Sequence, residues 1–561
     1  MNGRFVPLLL SASLCPLLWA PPTSRAAAPK IRLAVLIIVD QLRGDAPLRL
    51  EDRFGPDGFR RFLDQGAWYE CAHYRQSSTF TAVGHATLIT GAPPRHHGLV
   101  ANHWADPTTG ETIYCVQDDQ APVLGQPGES RAGRSPRNLH GSTLGDELVL
   151  ATSGKARVVG ISIKDRGAIL PAGHLGSAYW FSPRAGGFVT SRYYHDTIPD
   201  WVSTWNNAGH IARYAGKSWD LKHPPSSYRQ PDSRKGESGH PALGPSFPHP
   251  LPAPGDEAET AGQSLSQLAG ILKSTPFGDE LTVSFALQAV DALGLGADPV
   301  PDLLSVSLSA CDYIGHAYGP QSREMEDHIL RLDGILAELF LGLDQRVGLE
   351  HTLVMLSSDH GSPGVPEVQL ALGLPAGRWD APTALARADQ RLRQEFGVDV
   401  PTLGKFLPPA IYLHQDAIEA IQANPGEIRA RAAQLLEAEE GIARAFSRED
   451  LEAKCDPGDA LLGKLQRAHH PQRSGDITLV PAPFWFVHPN PQATAAMHGS
   501  PYEYDTHVPL AFVGPEIRPG RHVRPAAPSD LAPTVAALLR ISAPALSDGR
   551  VLTEALERAT P

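Results

Sequence analysis

Only five cysteines and four methionines occur among the 561 residues, and no two cysteines lie close together in the chain. A metal site built from paired thiolates is thereby excluded, because such sites need cysteines a few residues apart. Positive charge is also in short supply: 49 Lys and Arg stand against 61 Asp and Glu, for a formal net charge of −12. That balance speaks against a nucleic-acid binder, which needs a basic stripe. It does not exclude a small anionic substrate, since metal, Lys and Arg set the local charge inside a site. Long hydrophobic runs are missing as well, and no segment reaches the ~20 apolar residues of a membrane-spanning helix.

The longest apolar stretch, Phe5 to Trp19, follows Arg4 and precedes Ala26-Ala27-Ala28. Residues 1–28 therefore read as a secretory signal, cleaved among Ala26 to Ala28, with Pro29 disfavouring the last of these. Removing it takes away Arg4 and Arg25 and no acid, which moves the formal charge from −12 to −14. The mature chain is expected to be soluble and either periplasmic or secreted, and its aromatic-poor, Ala- and Arg-rich composition fits a bacterial source. Cys71, Cys115, Cys311 and Cys455 remain, an even number that permits disulfides in an exported protein. The sequence leaves the pairing open, with Cys71 and Cys115, which flank one segment, as the favoured pair.

The length fits one large catalytic unit over 29–561 with cap-like insertions at about 184–300 and 365–485. Residues 218–256, rich in Pro, Ser, Gly and His, read as irregular. Ala417 to Glu440 has helical periodicity. Ser322 to Leu343 reads as a long amphipathic helix with Met325, Ile329, Leu332, Leu336 and Leu339 on one face.

Three short runs rich in Val, Ile and Leu each lead into an aspartate. They are Leu33 to Val39 before Asp40, Leu303 to Leu308 before Asp312 and His316, and Thr352 to Leu356 before Asp359-His360. Each looks like a buried strand of a parallel sheet, and in such sheets ligands bind beyond the carboxyl ends of the strands. Singly, an aspartate after a strand is a cap or turn residue and a lone histidine is structural. Jointly, with His498, they make a first-row metal site and point to a metallohydrolase. Asp312 and His316, four apart, share one face of a helical turn. One ion would take Asp312, His316 and His498, and a second would take Asp40, Asp359 and His360. A hydroxyl nucleophile is offered by the segment from Ser78 to Thr90, where a helix start would place Ser78, Thr79 or Thr81 near backbone donors. The residues themselves do not choose among the three.

Taken in order, Val39-Asp40-Gln41, the Thr81 segment, Asn102-His103-Trp104, Ile163-Lys164-Asp165-Arg166, Asp312-Tyr313-Ile314-Gly315-His316, Ser358-Asp359-His360-Gly361 and His498-Gly499-Ser500 resemble the alkaline phosphatase superfamily. They look most like its PafA-type, phosphate-irrepressible members. That resemblance implies an α/β three-layer sandwich with a central, mostly parallel sheet. It implies Thr81 as nucleophile, forming a phospho-threonine and contacting metal, two Zn2+ ions ligated as grouped above, and Asn102, Lys164 and Arg166 binding the phosphoryl oxygens. Two cations suit a monoester dianion. Alternating positions on an extended segment would point Lys164 and Arg166 the same way. Thr81-Ala82-Val83-Gly84-His85 lacks the Cys/Ser-x-Pro-x-Arg pattern of a formylglycine sulfatase. No acidic set for a third, magnesium site is evident, and Lys164 would supply positive charge there. His85, His96, His97 and His507 read as supporting residues and not as ligands.

The first functional reading is an exported, zinc-dependent phosphomonoesterase acting on a broad range of small phosphate monoesters, as a monomer. A phosphodiesterase or nucleotide pyrophosphatase on the same scaffold is the second. A non-catalytic exported protein that binds metal or phosphate is the third.

Overall fold

The computed structural model describes residues 1, 3, 31–126, 132–253, 258–421, 424–454, 457–488 and 494–556. The expected secretory segment lies outside these apart from Met1 and Gly3, and so do Cys15 and Cys455. Strand β1 is the apolar run Leu33–Val39, every residue of it buried. A strand apolar on both faces needs a core on both sides. Accordingly Leu33, Val35, Ile37 and Val39 enter one core, while Ala34, Leu36 and Ile38 enter another on the opposite face.

Nine further strands complete the sheet: β2 (Ala67–Tyr69), β3 (Val123–Leu124), β4 (Val158–Ser162), β5 (Ser177–Ser182), β6 (Gly187–Ser191), β7 (Asp302–Leu308), β8 (Thr352–Ser357), β9 (Leu510–Val513) and β10 (Gly520–His522). Their order is β10-β2-β9-β8-β1-β7-β4-β5-β6-β3. Only β9 and β6 run against the rest, so the sheet is mostly parallel. Around it pack helices α1 (Thr81–Thr90), α2 (Asp165–Ala172), α3 (Pro276–Leu293), α4 (Ala310–Tyr318) and α5 (Arg323–Arg346). The expected crossover helix between β7 and β8 is α5, which starts where the Ser322 hydroxyl accepts the Met325 N–H at 3.1 Å and buries Met325, Ile329, Leu332, Leu336 and Leu339.

A second, four-stranded sheet is formed by Leu403–Leu407, Ala410–Leu413, Ile477–Pro481 and Ile442–Ser447, in that order. It shares a core with helices Ala381–Phe396 and Pro425–Glu437. The helical periodicity over 417–440 resolves into two helices, Gln415–Ala420 and Pro425–Glu437. Pro425 cannot continue a helix from before it, whereas at the first helical position its fixed φ is favourable, and Asn424 caps the new start. Of the stretch 218–256, residues 254–256 lie outside the described residues, and the rest is irregular as expected apart from one helical turn, a short pairing of Ser218 and Trp219 with Pro250 and His249, and a single bridge between His240 and Gly244.

The Cys71–Cys115 pairing is not formed: both thiols are free, as is that of Cys311. Cys115 belongs to a core with Leu99 and Trp104, while Cys71 follows β2 and receives the Ala526 N–H through its carbonyl. Flanking one segment in sequence did not bring the two together in space. Among the described residues no helix is long and apolar enough to cross a membrane.

Candidate active site

Parallel register levels the strand ends. Val39 lies opposite Leu308 of β7, and Ile38 opposite Ser357 of β8, so Asp40, the start of α4 and Asp359 emerge side by side. Gln41 binds them together from a left-handed conformation, φ 67°. Its backbone N–H donates to Asp359 Oδ1 at 3.1 Å, and its side-chain amide donates to Asp312 Oδ1 at 2.8 Å. Asp279 on α3 accepts the Ala310 N–H at 3.1 Å and so holds the first turn of α4, which carries Asp312. Gly84 lets α1 lie directly on the Asp359 segment, because a Cβ there would come within 2.1 Å of the Asp359 carbonyl oxygen.

Two groups of ligand atoms converge within 4.8 Å: Asp40, Asp359 and His360, and Asp312, His360 and His498. His360 thus stands between both groups. His316 lies beside the second, with Nε2 3.2 Å from Asp312 Oδ1. Asp40 Oδ1, Asp359 Oδ2 and His360 Nε2 are buried and accept no hydrogen bond, although His360 Nε2 is only 3.6 Å from each of the two carboxylate oxygens. Three such acceptors within 4.8 Å of one another are what a bound cation would satisfy. The imidazoles agree: Nδ1 of His316, His360 and His498 donates to the carbonyls of Ala496, Gly361 and Thr79 at 2.7, 3.0 and 2.7 Å. That pattern turns each Nε2 toward the carboxylates, with His360 Nε2 left without a hydrogen-bond partner and His316 Nε2 against Asp312, and Nε2 is an atom through which histidines bind metal.

Charge in this cluster is finely divided. Burial, reinforced by the Asp359 charge, pushes the Asp40 carboxyl well up. Burial also opposes ionisation of Asp312, but His316 and Lys164 overrule it and hold that carboxyl well below the usual range. For Asp359, burial is overruled by His360 and His85, again to a lowered value. Lys164 Nζ sits 2.5 Å from Asp312 Oδ2 and 2.6 Å from Asp40 Oδ2. Its charge is held against burial by those two carboxylates. His85 supports from behind, with Nδ1 2.8 Å from the Thr81 carbonyl and 3.3 Å from Asp359 Oδ2.

Thr81 is the first residue of α1 and is buried. Arg166 Nη2 donates to its hydroxyl at 3.4 Å, and Asn102 Oδ1 accepts the Ala82 N–H at 3.0 Å. Ser78 and Thr79 are occupied elsewhere, donating to the carbonyls of Val100 and Ser500. Lys164 and Arg166 do not alternate along a strand. Lys164 is the extended residue just before α2, and Arg166 is in the first turn. One therefore turns inward to the carboxylates while the other faces the cavity.

Sequence reasoning missed Tyr114. Its hydroxyl donates to Asp165 Oδ1 at 2.5 Å and accepts from Arg166 Nη1 at 3.2 Å, while Arg134 donates to Asp165 Oδ2 at 2.7 Å. Nothing local marks Tyr114, since its role exists only across the 52 residues that separate it from Arg166.

A cavity of about 610 Å³ opens over Thr81, Asn102, Arg166, Asp312, His316 and His498. Residues 239–241 and Ser274 line it on one side, and Leu407, Pro408 and His488 on another. Lys164 is not among its lining residues.

Comparison with known proteins agrees with this geometry. The family described as type I phosphodiesterase / nucleotide pyrophosphatase matches residues 34–501. A Myroides odoratus protein named calcium-transporting ATPase is 35% identical over 540 residues, covering 94% of this chain and 95% of the relative. Alkaline phosphatase PafA of Elizabethkingia meningoseptica is 33% identical over 537 residues, covering 95% and 96%. The crystal structure of wild-type PafA superposes with a TM-score of 0.85 at 32% identity, over 94% of this chain and 99% of that one. The chain therefore belongs to the type I phosphodiesterase/nucleotide pyrophosphatase family of the alkaline phosphatase superfamily, and it is a phosphatase similar to PafA.

Proposed function

We propose that the protein is an exported, zinc-dependent alkaline phosphatase that hydrolyses a broad range of small phosphate monoesters through a phospho-threonine at Thr81. It would act as a monomeric catalytic unit over residues 29–561, in the periplasm or the medium, with 184–300 and 365–485 as insertions that wall its cavity. The observation that carries this reading is the placement of the Thr81 hydroxyl under the Arg166 guanidinium, at a helix start, beside the converging carboxylates and imidazoles.

Asp40, Asp359 and His360 would hold one zinc ion, and Asp312, His316 and His498 the other, with His360 close enough to reach both groups. Zinc bound there would polarise the phosphoryl group and favour the ionised hydroxyl of the nucleophile and of water. Thr81 Oγ1 would attack phosphorus as the bond to the ester oxygen breaks, losing its proton and leaving an alcohol. Water would then displace Thr81 and release inorganic phosphate. Arg166, locked by Tyr114, offers paired donors to the phosphoryl oxygens. Asn102 orients the start of α1 through the Ala82 N–H and lines the same cavity. Lys164 contributes its charge from behind, between Asp40 and Asp312, where a third metal would otherwise be needed.

Thr81→Ala tests the covalent route. With zinc content unchanged, hydrolysis of p-nitrophenyl phosphate should fall by about 10³-fold or more. Full turnover in that variant would disprove the phospho-threonine. Beside bis-p-nitrophenyl phosphate, the monoester should be strongly preferred; a preference for the diester would make the enzyme a phosphodiesterase.

A further inference from the structure

We infer that the cavity above Thr81 contains a leaving-group subsite for a planar apolar group, an aryl ring in chemical class, built by Phe80, Leu407, Pro408 and Met497. This rests on the monoesterase reading only in that the phosphoryl end of the ligand is taken to lie against Thr81 and Arg166. A phosphoryl group fills a small part of 610 Å³, so most of the space belongs to whatever the phosphate is attached to.

Phe80, Pro408, Met497 and His498 line both this cavity and a 40 Å³ one behind it, whose far side includes Trp485 and Phe486. Phe80, Pro408 and Met497 therefore form an apolar partition beside the His498 imidazole, backed by aromatic side chains. The Phe80 ring is closely packed. Its centroid lies 5.6 Å from that of the His498 ring in an edge-to-face arrangement, and a Cβ on Gly499 would lie only 2.5 Å from its Cζ. Leu407 and Pro408 sit at a hairpin tip, where Leu407 pairs with Ala410. That hairpin is tethered by Lys405 Nζ, which donates to the Gly110 carbonyl at 2.6 Å. A fixed flat surface of one aromatic and one pyrrolidine ring suits a flat ligand, and burying such a ring is favourable in itself.

Charge points the same way. Arg166 and Asp312 are the cation and the carboxylate among the residues lining the cavity, and both are at the reactive end. Further out the polar side chains are the imidazoles of His103, His240 and His488 and the hydroxyls of Ser274, Tyr313 and Thr494. Among the described lining residues Arg166 is the one Lys or Arg, and a further cation, Lys273, has its Nζ 5.0 Å from the centroid of the Tyr313 ring.

Calorimetric binding of phenylphosphonate, methylphosphonate and inorganic phosphate to the zinc-loaded protein isolates the ring, because the anionic head is shared and nothing is hydrolysed. Phenylphosphonate should bind about tenfold or more tightly than methylphosphonate. Leu407→Asp should bring the two within about threefold while leaving inorganic phosphate unchanged, and Leu407→Ala, the milder substitution should the aspartate not fold, should move the ratio the same way. Equal affinities in the wild type would overturn the subsite, as would Leu407 variants that weaken phosphate as much as phenylphosphonate. A protein that prefers monoesters yet binds both phosphonates alike loses the subsite and keeps its proposed function. One that prefers diesters loses the function while the phosphonate ratio still reads the subsite.

Discussion

Lys164 and Arg166 lie two residues apart, carry the same charge, and are held in opposite ways. Lys164 is buried with its ammonium between Asp40 and Asp312, at the floor where the parallel strands end. Arg166 is half-buried at the rim, braced by the hydroxyl of Tyr114 through a chain that runs to Asp165 and Arg134. The floor is a set of opposite charges that would be costly to bury singly, so each member depends on the others to fold. The rim is a preorganised donor with its own independent brace. Of the two cations proposed to serve one phosphate, Lys164 is the one buried among carboxylates and Arg166 the one that lines the cavity.

The sharpest way to break that comparison is to remove each cation in turn. Lys164→Ala should destabilise the zinc-free protein by about 3–5 kcal/mol in chemical denaturation, because it strands buried carboxylates, and added zinc should restore much of the loss. Arg166→Ala should change stability by less than about 1 kcal/mol and lower kcat/KM for p-nitrophenyl phosphate by about 10²–10³-fold. If both variants shift the same quantity, floor and rim are not separate.

A second test reaches the support under the floor. Burial pushes the Asp279 carboxyl up to about 7, above its value in the unfolded chain, with His328 Nε2 3.5 Å from its Oδ2. The fold therefore takes up a proton there. The stability this gives is fully present below about pH 3.8 and is lost as pH rises through 7. Asp279→Asn keeps an acceptor for the Ala310 N–H and cannot ionise. Between pH 5 and pH 8 the wild type should accordingly lose up to about 3 kcal/mol relative to the variant. An identical pH dependence for the two would mean that Asp279 stays ionised throughout. The smallest effect expected is from reductant: with Cys71, Cys115 and Cys311 free, dithiothreitol should leave the melting temperature unchanged, and a drop would reveal a disulfide.

Much of the floor was legible in the chain because parallel strands leave an unmistakable trace. Apolar runs ending in Asp40 and before Asp312 and Asp359 can hardly be anything else, and α5 announced itself by its repeat of apolar residues. What stayed hidden depends on contacts distant in sequence. Tyr114 carries no motif, and the sharing of His360 between two ligand groups needed distances. The turn from Lys164 into α2 looked like a strand because an alternating charge pattern does not reveal a helix start. Cys71 and Cys115 misled for the converse reason, since nearness along the chain says nothing about which core a side chain enters. Pro425 was the local signal that should have divided the helix expected over 417–440.

The level ends of β8, β1 and β7 have one more consequence. Neighbouring strands sit about 4.8 Å apart whatever their side chains are, so the spacing of the strand ends from which the carboxylate segments emerge is inherited from backbone hydrogen bonding and not from the residues that fill the strands. The sheet works as a ruler. Its apolar residues could be exchanged wholesale for others of similar volume without moving the marks. A one-residue slip of a single strand, by contrast, would turn its aspartate to the opposite face and erase the site at once.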